Sequence, residues 1–523
     1  MFVTSLPQSA AVLVRNKFRN TFMEKLKFRK AATIAAGMLV LLSLNARAQA
    51  QPASSENPLL DMLIKKGILT EDEAKKIEAE TVAEQTNAMS NPPISRLKIS
   101  DSIKAMQLFG DVRLRYEYRG ADNAPGATPD TYYRERFRYA LRVGIRGDLY
   151  DDFSYGIRLE TSNNPRSPWD TFGNNTTSGS VTPSDKNSSG IYLGQVFLNW
   201  HPADWYEMTV GRMAMPLYTT PMVWDSDINP EGAFEKVKYT IDNVDLFADF
   251  GQFDYQDPSS ASEVPSSDTF LLAWQAGANV RIGNDMSFKI APMLYTYTGV
   301  GTSSGLNSSF VGQGANGLNV GVPGGSDVPD YNEEGINDLL VLEIPAEFDF
   351  KILNTPLGTL QARLFGDFAY NLKGDDRARA AYNTNPGAFP GLSGPVYGQD
   401  KAYQVGFGIG SAGPVYGPTQ GLVYGSTSKK NTWEARFYWQ HVEQYALDVN
   451  LLDSDFFEGR ANLQGFYTAF AYSFTDAIIG TVRYGYANPI NNNLGTGGNN
   501  LDMPGLNPIK NYNVLQLDLT WRF

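Results

Sequence analysis

Residues 511–523 read NYNVLQLDLTWRF, and the alternation in this stretch decides the fold class. Leu515, Leu517, Leu519, Trp521 and Phe523 fall on one face of an extended strand, and Gln516, Asp518, Thr520 and Arg522 on the other. A soluble sandwich strand also alternates, but it seldom carries an aromatic pair at its very end. A lipid-facing strand that stops at an aromatic girdle accounts for both features.

The same texture runs back to Met106. Val112, Leu114, Tyr116 and Tyr118 alternate with Asp111, Arg113, Arg115 and Glu117. Phe137, Tyr139, Leu141, Val143 and Ile145 alternate with Arg136, Arg138, Ala140, Arg142, Gly144 and Arg146. Connections are of two kinds. GDLYDDF, HPADW, TIDN, RIGND and SFTDA are short, whereas residues 163–189, 213–231, 299–337, 374–399, 443–462 and 488–510 are long and polar. That asymmetry predicts an all-β transmembrane barrel with one closed end and one elaborated end, about sixteen antiparallel strands over residues 105–523. Residues 411–430 are too long for the short turn expected there. Either GLVYGS is a further strand or the turn is elaborated, so eighteen strands is the alternative.

Composition agrees with strands as the membrane-crossing elements. Beyond the N-terminal region no run of about 20 apolar residues occurs, which excludes helical spans. Mean hydropathy is −0.31, ordinary for a barrel in which every second residue can be polar. With no Cys and only His201 and His441, the chain offers little for metal chemistry, and no cofactor is expected. A net charge of −12 argues against a nucleic-acid partner.

The N-terminal region reads as an export signal. Lys25, Lys27, Arg29 and Lys30 precede an apolar run over 31–44 and small-residue cleavage sites ending at Ala50, so residues 1–50 are expected to be a lead and a secretory signal peptide. Residues 51–104 follow as a periplasmic helical segment and linker. Pro58 after Asn57, the Leu59, Leu60, Leu63 and Ile64 face, and the Thr70 to Glu73 capping box predict two short helices between 57 and 87.

Inward side chains of a wide barrel see water, so charges there act on passing solutes. Arg113, Arg115, Arg136, Arg138, Arg142, Arg146 and Arg158 all take the inward register. Asp111, Glu117 and Glu160 share that register and offer them partners; Glu135 does not. The stretch MAMPLYTTPMVWDSDINPEGAFEKVKY carries Asp225, Asp227 and Glu231 amid Pro, Met and aromatic residues. So apolar a loop is expected to fold against protein, and inside the lumen its carboxylates would face the arginine wall as a constriction. Asp327, Asp330, Glu333 and Glu334 do not match EF-hand spacing, and His441 beside Glu443 lacks a nucleophile partner, so neither points to metal binding or catalysis.

Taken with the signal peptide, LLDMLIKKGILTEDEA, TVGRM, INPEGA and the terminal TWRF, the chain resembles the putative porin family of Gram-negative bacteria. The resemblance implies an outer-membrane channel that is not an enzyme, a homotrimer set in outer-membrane lipid and passing small hydrophilic solutes or ions. It also implies that Trp521 and Phe523 act as the signal read by the barrel-assembly machinery. Two alternatives stand beside it: an anion-selective channel similar to phosphate-selective porins, and a non-conducting adhesin or structural barrel.

Overall fold

A computed structural model describes residues 102–123, 131–162, 167–173, 190–256, 269–298, 336–384, 392–411, 421–425, 429–496 and 509–523. The expected signal peptide, the helices at 57–87 and the carboxylates at 327–334 lie outside these residues.

The sheet opens with β1 (Gln107–Asn123), β2 (Thr131–Asp148), β3 (Phe153–Thr161) and the short β4 (Asp170–Thr171). β5 (Ile191–Ala203), β6 (Tyr206–Arg212), β7 (Glu231–Ile241), β8 (Val244–Gln256) and β9 (Thr269–Ile282) follow. Next come β10 (Met286–Ile290), β11 (Met293–Thr298), β12 (Leu340–Thr355) and β13 (Gly358–Asn371), then helix α1 (Gly374–Thr384). β14 (Lys401–Gly410), β15 (Trp433–Val442), β16 (Leu463–Ser473), β17 (Ile478–Pro489) and β18 (Ile509–Arg522) complete the wall. Each strand pairs antiparallel with its neighbours, and β1 pairs with both β2 and β18, so the sheet closes on itself without an edge.

The question of sixteen or eighteen strands resolves into sixteen staves. β10 and β11 both lie between β9 and β12, interrupted only at Ala291 and Pro292, where proline has no N–H for the ladder. β4 meets β2 at Arg138 and Tyr139, beyond the point where β3 has left it. Each pair forms one interrupted stave. GLVYGS is not a strand: Leu422–Tyr424 is a 3-10 turn bounded by Gly421 (φ 103°) and Gly425 (φ 77°), backbone conformations that interrupt an extended run.

Burial is inverted relative to a water-soluble protein. Phe137 and Leu114 are 53% and 46% exposed, while Arg115 and Glu117 on the same hairpin are 3% and 1% exposed. Apolar side chains on the outside and charged ones enclosed suit a wall between lipid and an aqueous interior. At the short-turn end the terminus is tied back: Phe523 N–H donates to Gly110 O at 3.1 Å, and Gly110 N–H donates to Phe523 O at 3.0 Å. Trp521 and Phe523 face outward there with ring centroids 5.2 Å apart.

Candidate functional site

The seven arginines expected on the inner wall share one curved surface formed by β1, β2 and β3. Asp111 accepts from Arg113 Nε at 2.8 Å and from Arg142 Nε at 3.1 Å. Glu117 is the hub above it, taking Arg136, Arg119 at 3.1 Å and Arg138 at 3.7 Å. Arg158 pairs with Glu160 at 2.9 Å, and Arg115 with Asp518 of β18 at 2.8 Å. Arg146 differs, for it forms no ion pair among the described residues. Its Nε donates to Gln107 Oε1 at 3.0 Å, and its guanidinium lies 5.0 Å from the centre of the Phe109 ring. Three further arginines complete the bank. Arg119 continues the inward register of β1, Arg522 that of β18, and Arg483 of β17 binds Asp518 and the Val423 carbonyl. The first two were legible from strand parity alone.

The loop over residues 213–230 folds inside the barrel, as its composition requires: Met213, Leu217, Met222, Val223 and Trp224 are buried. It crosses to the opposite wall, where Thr219 Oγ1 donates to Glu343 at 2.7 Å and the Tyr218 N–H to Gln275 Oε1 at 2.8 Å. Asp227 returns to within 3.6 Å of Arg142. Asp225 turns away from the arginines, accepting from Ser454 Oγ at 3.0 Å. Glu231 does not belong to this loop. It is the first residue of β7, exposed and paired with Arg212 at 3.0 Å, because Gly232 (φ 146°) lets the strand run one step farther toward the rim.

A second loop, residues 443–462, also turns inward, burying Leu451, Leu452, Phe456 and Phe457. It delivers Asp455 to Arg115 at 2.6 Å. Burial alone raises the carboxyl of Asp455, but the charge and hydrogen bond of Arg115, joined by the charges of Arg483 and Arg119, together outweigh it and hold the group below the usual carboxylate range. Asp453 forms no ion pair of that kind among the described residues. Burial, then the charge of Asp455, push it up to about 7. Burial and the neighbouring Asp453 push Asp225 up as well.

Across the interior stands an acidic bank that strand parity did not single out: Glu343, Glu347 and Asp349 of β12 with Asp367 of β13, of which Glu347 and Asp349 pair with Arg363 and Glu343 and Asp367 accept from Thr219 and Thr220 of the inward loop. Its signal was the alternation in EIPAEFDF. The arginine bank on β1–β3 and these carboxylates on β12–β13 thus lie on different parts of the barrel wall, each bank holding its own ion pairs.

Between the arginine bank, the two inward loops and the 3-10 turn lies a cavity of about 800 Å³. Arg146 and Phe109 border it at the short-turn end; Asp227, Asp455 and Tyr424 border it deeper in. Among the described residues no group of His, Cys, Asp and Glu side chains could hold a metal ion.

A family model described as Putative porin matches residues 121–316 and 337–523. The chain belongs to the putative porin family. This porin is accordingly an outer-membrane barrel of the channel-forming type. It is similar to in-vitro folded OmpT, an outer membrane protein of Vibrio cholerae, at 9% identity over 81% of this chain and 100% of that one, TM-score 0.38. It is also similar to a triple mutant of Rhodopseudomonas blastica porin, at 12% identity over 80% and 100%, TM-score 0.34. No curated protein matches it.

Proposed function

We propose that this porin passes small hydrophilic solutes and ions through the outer membrane by passive diffusion, with no reaction and no cofactor. The observation that carries the reading is the charged cavity of about 800 Å³ inside the barrel, overhung by the loop over 213–230. In this reading the arginines that border the cavity, most of them enclosed and ion-paired, and the carboxylates Asp225, Asp227, Asp453 and Asp455 that border it with them orient dipolar solutes and filter ions. Arg113, Arg115, Arg142, Arg146 and Arg158 serve as the basic lining of this cavity, Arg136 and Arg138 extend the basic wall around Glu117, and Asp227 serves as the acidic side of the constriction. In this reading the molecule works as a homotrimer in outer-membrane lipid, with residues 51–104 in the periplasm and Trp521 and Phe523 read by the assembly machinery.

An anion-preferring channel is the second reading, favoured by one observation. Arg146 and Arg522 line the cavity without an ion-pair partner among the described residues. Single-channel recording of the purified protein in a planar bilayer, with a salt gradient, tests both. Stepwise conductance supports the channel, and the sign of the reversal potential chooses between general and anion-preferring conduction. Folded protein that gives no conductance overturns both and favours the adhesin.

A further inference from the structure

The arginine bank near the short-turn end also carries a flat apolar floor. Gly144 of β2 and Gly156 of β3 both face inward, and neither has room for a side chain. A Cβ at Gly144 would meet the Phe109 ring at 2.8 Å, and one at Gly156 would meet the Phe197 ring at 2.5 Å. The two rings therefore lie against the wall over glycine instead of standing up into the lumen. Both border the cavity, and so do Arg146 and Arg522.

These two arginines have donors to give. Arg146 is exposed and spends only Nε, on Gln107. Arg522 has a buried Nη1 with no hydrogen-bond partner among the described residues. Elsewhere in the bank Asp111, Glu117, Glu160 and Asp518 occupy their arginines. A wall built only to conduct small ions has no use for inward phenylalanine rings, which bind no water. Rings beside unpaired guanidinium groups match a ligand that is flat and apolar at one end and anionic at the other.

We propose that this cavity holds a subsite for aromatic carboxylates, with Arg146 and Arg522 taking the carboxylate and Phe109 and Phe197 the ring. The inference rests on the channel reading for its role as a station on a permeation path, but binding does not depend on conduction. Inorganic phosphate or a short aliphatic acid has the charge and lacks the ring, so it gains only half of the site.

The test uses the purified full-length protein with benzoate and acetate as probes. Each is titrated by calorimetry, and each is added to single channels carrying potassium chloride current. Benzoate is expected to bind and interrupt the current, and acetate to need a concentration about tenfold higher for the same effect. Arg146→Gln weakens benzoate about tenfold, while Phe109→Leu weakens benzoate and leaves acetate unchanged. Phe197→Leu serves as a second ring variant, and unchanged heat-modifiable gel migration shows that each variant folds. Equal binding of benzoate and acetate, or benzoate binding indifferent to Arg146→Gln and to both ring variants, overturns the subsite. Conductance without benzoate binding removes the site and leaves the channel; benzoate binding without conductance removes the channel and leaves the site.

Discussion

Asp227 of the inward loop stands 3.6 Å from Arg142 of β2, and Arg142 is at the same time 3.1 Å from Asp111. One guanidinium therefore joins the loop to the wall, so the loop and the arginine bank act as one charged surface. Removing the loop's charge is the cleanest perturbation. Asp227→Asn leaves Arg142 its wall partner and strips one negative charge from the cavity, so ion preference moves toward anions. Reversal potential in a salt gradient measures it, and no shift would place Asp227 outside the ion path.

Arg136 and Arg138 both answer to Glu117, which is almost fully enclosed. The double substitution Arg136→Ala and Arg138→Ala takes two positive charges from the bank and is expected to shift ion preference toward cations. Glu117→Gln acts on stability instead. It leaves Arg119 and Arg136 facing each other across a neutral amide, and losing one member of so buried a network costs about 3 kcal/mol. Heat-modifiable gel migration should show Glu117→Gln melting well below the parent.

The carboxyl of Asp453, held near 7 inside the barrel against 3.8 ordinarily, binds its proton more tightly in the folded state. Its contribution to stability is therefore fully present below about pH 4 and is lost as pH rises through about 7. Neutralising it also leaves the arginine-lined cavity more positive. Lowering pH from about 8 to about 6 should increase anion preference, and Asp453→Asn should abolish that dependence while resembling the acidic state at every pH. A pH dependence that survives in Asp453→Asn assigns the titration to another group.

Tyr424 enters the cavity from the short-turn end, its ring 4.7 Å from the Arg436 guanidinium. Neighbouring Val423 is fully buried, and its carbonyl accepts from Arg483. The turn thus narrows the lumen from the side opposite the long loops. Tyr424→Ala is expected to raise single-channel conductance with little change in ion preference, since it removes bulk and no charge. Unchanged conductance would mean that the ring lies off the path.

The alternation of Leu515 to Phe523, repeated from Met106 onward, was enough to give the barrel, its lipid face and the inward register of the arginines. Side-chain direction in a strand is a local consequence of backbone geometry, and a period of two survives whatever the neighbours are. The same rule would have found Arg119, Arg522, Glu343 and Glu347 had it been applied to every strand. What parity cannot supply is partnership across the barrel. Arg115 meets Asp518 because β1 closes against β18, and it meets Asp455 because a loop more than 300 residues away in sequence turns inward. Glu231 looked like a loop acid until Gly232 allowed β7 to begin earlier, and residues 411–430 looked like a turn or a strand until the Leu422–Tyr424 segment packed inside. These outcomes depend on which buried surface each loop finds and which charge it can satisfy there. Only the closed tertiary structure decides that, because only closure creates an interior to fold into.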